Sequence, residues 1–140
     1  MSLTVTGNKN QMASDFTEEI WDKGNFKIAD EILSMDFIDH DPVTGQLPGL
    51  NGYKQMVKDF RDAFPNLRVK NEDVIVEGNK IVVSWTAYGI QSGHLMNIPP
   101  TNKHVTLKGI DILLVVNNKI TERWGEFDAM GMLSQLGVLQ

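Results

Sequence analysis

The chain has 140 residues, with 13 Lys and Arg against 18 Asp and Glu for a net charge of −5, and no cysteine. That length suits one domain, residues 1–140, able to bury a core without covalent staples. The missing thiols exclude disulfides and thiolate metal sites. The basic residues are scattered singly on an acidic chain, which argues against nucleic acid as a partner.

No apolar run is long enough to span a membrane, so no membrane partner is expected. Residues 1–10 are polar and carry no apolar signal core, so secretion is not expected and a cytoplasmic location is. Residues 1–8 read as a flexible N-terminal segment. The first predicted helix covers residues 9–23, where Met12, Phe16 and Ile20 recur every four residues and Gly24 stops the run. Asn25 is placed to cap a short second helix with the apolar stripe Ile28, Ala29, Ile32 and Leu33. Residues 36–49 read as a strand stub and a loop, broken by Asp41-Pro42, Gly45 and Pro48. A third helix over 50–64 gathers Tyr53, Met56, Val57, Phe60 and Phe64 on one side, and Pro65 ends it.

After Pro65 the apolar period changes from 3.6 to 2. Strands are predicted over 67–77, 80–91, 104–116 and 119–128, with tight turns at Gly78-Asn79 and Asn117-Asn118. The loop over 92–103 carries Pro99-Pro100, and a short helix over 130–136 precedes Gly137. Helices followed by long meandering strands imply an α+β fold with the helices on one face of an antiparallel sheet. Strands this long coil, so the expected shape is a cone-shaped α+β barrel wrapped around three N-terminal helices. Its open mouth is the expected seat of a small, largely apolar organic molecule.

Alternation assigns faces. In the third predicted strand, Val105, Leu107, Gly109, Asp111, Leu113 and Val115 point one way. If that face is the interior, Asp111 is a carboxylate in apolar surroundings, with a raised pKa or a close donor, as a general acid/base needs. If the face with Ile110 and Ile112 is the interior, Asp111 is solvated. In the second strand, Trp85 shares a face with Ile81, Val83, Ala87 and Gly89, as core filler or pocket wall. In the fourth, Ile120, Glu122, Trp124, Glu126 and Asp128 alternate with Thr121, Arg123, Gly125 and Phe127. Asp128 also stands where it can cap the last helix.

His40, His94 and His104 lack the helical spacing of a zinc motif, and no metal is expected. His40 sits between Asp39 and Asp41. His94 lies in the loop near the expected mouth, where it is either a hydrogen-bonding or proton-shuttling group or a plain loop histidine. Ser84 and Ser92 lack a nucleophile-elbow context, and there is no Gly-rich phosphate loop.

Several motifs together resemble the SnoaL-like polyketide cyclases. They are Phe37-Ile38-Asp39-His40-Asp41-Pro42, Ala63-Phe64-Pro65-Asn66-Leu67, Ile98-Pro99-Pro100-Thr101, Gly109-Ile110-Asp111-Ile112, Lys119-Ile120-Thr121-Glu122-Arg123-Trp124, and the segment from Asp128 to Gly137. The resemblance runs from about residue 10 through nearly the whole chain. It implies the cone of the nuclear transport factor two-like superfamily and a metal-free, cofactor-free intramolecular aldol ring closure of a polyketide ester. It implies Asp111 as the general acid/base, with His94 as a second candidate catalytic group. His40, Trp85 and Trp124 fall where the family lines its pocket, and Tyr53, Phe60 and Asn97 complete the candidate ligand contacts. Asn97 and Asn102 stand where the family usually has Gly. A non-catalytic ligand-binding protein remains an alternative, as does a related acid/base isomerase or epoxide hydrolase. The hydrolase would need an Arg among its acids, and strict alternation sets Arg123 opposite Trp124 and Asp128. Apolar residues on both faces of the third strand imply a homo-oligomer, a dimer or a tetramer.

Overall fold

The computed structural model describes residues 4–138, with side chains from residue 9 onward. Helix α1 (Thr4–Ser14) continues into a wider helical stretch, Asp15–Asp22. There the Lys23 N–H donates to Glu18 O, five residues back, at 3.0 Å. A strict spacing of four drifts by about 40° per step around a regular α-helix. The widened turns offset that drift and keep Phe16, Thr17 and Ile20 buried. Gly24, at φ 71°, ends the element. The expected flexible segment falls partly outside the described residues, at 1–3; the helix itself begins at Thr4 rather than residue 9.

Helix α2 spans Phe26–Ile32, and Asn25 precedes it without a side-chain cap. The Asn25 amide donates instead to Glu19 Oε1 at 3.2 Å, across the Gly24 turn. Helix α3 (Gly49–Ala63) buries Tyr53, Met56, Val57 and Phe60 on the predicted stripe. Helix α4 (Ala129–Leu136) is capped by Asp128, whose Oδ1 accepts from the Gly131 N–H at 2.8 Å.

The five strands are β1 (Leu33–Asp39), β2 (Arg68–Glu77), β3 (Lys80–Ile90), β4 (His104–Val116) and β5 (Lys119–Phe127), in the order β1-β5-β4-β3-β2. The stub expected at residue 36 is thus a full strand, and it pairs parallel to β5. This corrects the expectation of a purely antiparallel four-stranded sheet. The connection from β1 to β5 runs through α3 and three strands, so no hairpin imposes antiparallel pairing. The fold is α+β, a curved, unclosed mixed sheet with helices against its inner face. Asn117 and Asn118, both at positive φ, make the β4–β5 hairpin.

The inner face carries Ile81, Val83 and Leu113, packed on Phe16, Phe37, Tyr53 and Val57. Bulges set the phase of β2 against β3 and of β5 against β4. In β2, Glu72 is the extra residue between the pairs Asn71↔Trp85 and Asp73↔Ser84. In β5, Thr121 is the extra residue between Ile120↔Val115 and Glu122↔Leu114, and its hydroxyl donates to Leu114 O at 3.3 Å. The alternation inverts across a bulge. Ile120 therefore points inward, and so do Arg123, Gly125 and Phe127, while Trp124 points outward. Among the described residues, no helix is long and apolar enough to cross a membrane.

Candidate functional site

The sheet's inner face, the widened end of the first helix, α3 and the loop after β1 enclose a cavity of about 80 Å³. Its walls are mostly apolar, with Phe16, Trp21, Phe60, Trp85, Leu107 and Phe127 among them. The polar groups that reach it include Thr17, Asp41, Gln46, Asp111 and Arg123.

Strand register builds the charged end. Asp111 on β4 pairs with Gly125 on β5, so Arg123, two residues earlier, is its diagonal neighbour on the same face. Arg123 donates to Asp111 Oδ1 from Nε at 3.0 Å, and its Nη2 lies 2.8 Å from the same oxygen as an ion pair. Its Nη1 donates to Asp39 Oδ1 at 2.7 Å and to the Asp41 carbonyl oxygen at 3.4 Å. The guanidinium lies 5.9 Å from the centroid of the Tyr53 ring. Asp39 also ties down the loop, accepting from the Asp41 N–H at 3.1 Å and from Gln46 Nε2 at 2.9 Å. Asp41 Oδ2 accepts from the Gly125 N–H at 2.8 Å. Gly125 is required by space, since a Cβ there would overlap Asp111 Oδ1 and crowd Arg123 Nη2.

Asp111 is 4% exposed. Burial pushes its carboxyl above the usual aspartate range; the Arg123 charge and hydrogen bonds pull it down, and Asp39 pushes it up again. Burial alone would lower Arg123, but Tyr53, Asp111 and Asp39 outweigh it and raise the guanidinium further. These shifts point in opposite senses for the ion pair. The direction that stands for Asp111 is upward, because its burial outweighs the pull of an Arg123 that is shared with Asp39. Burial likewise raises the Tyr53 hydroxyl, which accepts a hydrogen bond from Trp21 Nε1 at 3.0 Å.

Asp111, Trp85 and Phe60, three of the candidates from sequence, line this cavity together. Tyr53 does not; at 1% exposure it is packed behind the wall, under the aromatic cluster of Phe16, Trp21 and Phe37. His94 and Asn97 do not reach the cavity either. They are exposed on a wider outer groove, of about 690 Å³, which shares Val43, Gln46, Met56 and Phe60 with the cavity as a common wall. His40 and Trp124 stand on the outer face of the sheet. Their rings stack at 4.5 Å with an interplanar angle of 5°, and His40 Nε2 lies 2.7 Å from Glu122 Oε1. The reason is the Thr121 bulge, which turns Trp124 away from the interior and Arg123 toward it.

Arg123, Asp39 and Asp41 are the groups at this site that the sequence reading did not assign. The usable signal for Arg123 was Phe127, an apolar residue from which inward positions count back through Gly125 to Arg123. Asp39 stood in the motif around His40 without a role of its own, because its side chain acts through pairing of β1 with the distant β5. Among the described residues, no group of three or more His, Cys, Asp or Glu is arranged to hold a metal ion.

The SnoaL-like polyketide cyclase family matches the chain over residues 11–136. Among solved structures, a candidate polyketide cyclase from Bacillus cereus ATCC 10987 is 28% identical, with 95% of this chain and 83% of that one covered at a TM-score of 0.84. TsrD from Streptomyces laurentii is 25% identical, with 95% and 97% covered and a TM-score of 0.86. A candidate polyketide cyclase from Acidithiobacillus ferrooxidans is 25% identical, with 95% and 96% covered and a TM-score of 0.80. No curated protein matches the chain.

Proposed function

The chain belongs to the SnoaL-like polyketide cyclase family, and on that footing we propose that it closes a ring in a polyketide-like ester by intramolecular aldol addition, with Asp111 as general acid/base. The observation that carries this reading is a carboxylate, buried and raised in pKa, on the wall of a mostly apolar cavity. Both Arg123 contacts fall on Oδ1. The second carboxylate oxygen is left for a substrate proton.

Ionised Asp111 takes a proton from a carbon flanked by two carbonyls, and the electron pair moves onto a carbonyl oxygen as an enolate. That carbon attacks a ketone carbonyl further along the same chain. The new alkoxide takes the proton back from Asp111, so the reaction is an isomerisation that needs no co-reactant. Such a carbon is already acidic, and a base moved toward neutrality is matched to it. Apolar walls fold the chain and exclude water. The cavity of about 80 Å³ is well below the several hundred Å³ of ordinary ligand sites. In this reading the reacting end sits inside, and the shared wall at Val43 and Gln46 yields so that the rest of the ligand lies in the outer groove, near His94 and Asn97.

The test is incubation with aromatic methyl esters that carry a 1,3-dicarbonyl side arm and a ketone. The wild type is expected to give the ring-closed isomer by chromatography and mass spectrometry, and Asp111→Asn none. Full activity in Asp111→Asn would end the proposal.

A second reading, an acid/base epoxide hydrolase, gains from the position of Arg123 beside Asp111 and Asp39. Hydrolysis of styrene oxide to its diol, with no ring closure of the esters, would favour it. Recovery of a bound apolar molecule chemically unchanged would favour a binding protein. In either case a dimer through the outer sheet face is proposed, because Tyr88, Ile110, Ile112 and Val116 are exposed there. A monomer by sedimentation would count against it.

A further inference from the structure

Trp85 Nε1 is the one buried side-chain nitrogen or oxygen without a hydrogen-bond partner among the described residues. The indole is held in place: Trp85 pairs with Gly109 on β4, and a Cβ at 109 would overlap ring atom Cζ2. On the same face, Asp111 pairs with Val83, two residues from Trp85, so the two side chains are diagonal neighbours on the cavity wall. The indole N–H acts on the Asp111 carboxyl as a weak donor that favours the anion, but no acceptor meets it in good hydrogen-bond geometry. The other groups nearby are engaged. Trp21, the second tryptophan of the cavity, donates to Tyr53, and the Arg123 donors go to Asp111, Asp39 and the Asp41 carbonyl. His94 and Asn97, the donors expected from sequence, lie on the outer groove.

An indole nitrogen can only donate, and a buried donor held off good geometry from its nearest acceptor keeps part of its desolvation penalty. An oxygen that entered beside Asp111 would remove that penalty. We propose that Trp85 Nε1 binds the carbonyl oxygen of the ligand that becomes the enolate oxygen when Asp111 takes the neighbouring proton. The bond that breaks is C–H, the proton goes to Asp111, and the electron pair goes to the oxygen held by Trp85, which keeps its own proton throughout. A fixed donor aimed at developing negative charge stabilises it without reorganisation. The ligand class is a neutral carbonyl compound, because ionised Asp111 faces it before the proton moves; an oxyanion matches the site once Asp111 has taken up the proton. This inference rests on the acid/base reading of Asp111.

The experiment uses 4-nitrophenolate, a flat apolar oxyanion, with nitrobenzene as a comparison ligand of similar shape and no oxyanion. The ¹H–¹⁵N indole resonance of Trp85 in the wild type is expected to move downfield with 4-nitrophenolate and far less with nitrobenzene. Trp85→Phe keeps an aromatic ring and removes the donor; it should bind the phenolate roughly tenfold more weakly and nitrobenzene equally well. An unmoved indole resonance, or equal phenolate affinity in Trp85→Phe, overturns the inference. The resonance is read in the wild type, so the test survives a variant that does not fold. Either failure leaves the Asp111 reading standing, since that is judged by Asp111→Asn turnover alone.

Discussion

Arg123 sets two of its nitrogens against a single oxygen of Asp111, at 3.0 and 2.8 Å, and a third against Asp39 at 2.7 Å. One cation thus serves two carboxylates whose side chains are 5% and 4% exposed. Removal of the cation would leave both charges buried. Arg123→Gln is expected to destabilise the fold by about 3–5 kcal/mol, read by urea denaturation near pH 7. Part of that loss should be recovered as pH falls and Asp111, whose pKa is raised by burial, takes up its proton. A loss below about 1 kcal/mol, the range of an exposed pair, would contradict the buried geometry.

The raised pKa of Asp111 has a signed consequence for stability. Its ordinary value is 3.8, and the folded protein holds the proton to higher pH than the unfolded chain does. Stability from this group is therefore complete below the ordinary value and is lost as pH rises through the folded pKa. Asp111→Asn should flatten that fall in urea titrations taken from pH 4 upward. Catalysis has the opposite sign, because the ionised form is the base, so proton-abstraction rates should rise with pH through the same interval. An Asp111→Asn stability profile parallel to the wild type would argue against the shift.

Gly125 leaves the space in which Asp111 and Arg123 meet. A methyl group there must displace backbone or break the ion pair, since Arg123 is also held by Asp39 and the Asp41 carbonyl. Gly125→Ala should cost roughly 1–3 kcal/mol by thermal or chemical denaturation and reduce turnover as well. Gly78, where an added Cβ would meet nothing within 4 Å, also has positive φ (57°). Gly78→Ala thus reports backbone strain alone, and activity should be unchanged.

The sequence made the elements legible because each has its own period. The bounds of the third and fourth predicted strands agree with β4 and β5 to within a residue at each end. Asp111 was legible as an acid among Val105, Leu107 and Leu113. What alternation could not carry was the phase of β5. Continuing the pairs Val116↔Lys119 and Val115↔Ile120 without a break would set Trp124 across from Asp111. The extra residue Thr121 puts Gly125 there instead and brings Arg123 inside. Ile120, apolar and inward, made the wrong phase persuasive. Asp39 was beyond reach for a different reason: its contact spans 84 positions and depends on a parallel pairing that has no local signature.

The outward position of His40 and Trp124 separates them from the cavity. His40→Ala should leave phenolate binding and ring closure at wild-type levels. It should cost about 1 kcal/mol of stability from the lost ring stack and the partly exposed pair with Glu122. Loss of ligand affinity in this variant would return His40 to the binding site.

The central claim is that Asp111 moves a carbon-bound proton. Exchange of the C2 proton of methyl benzoylacetate for deuterium in D2O, followed by NMR, reads that step without knowledge of the natural substrate. The wild type should accelerate exchange, and Asp111→Asn, folded by circular dichroism, should lose at least about 100-fold of the catalysed rate. Exchange by Asp111→Asn at the wild-type rate would contradict the account.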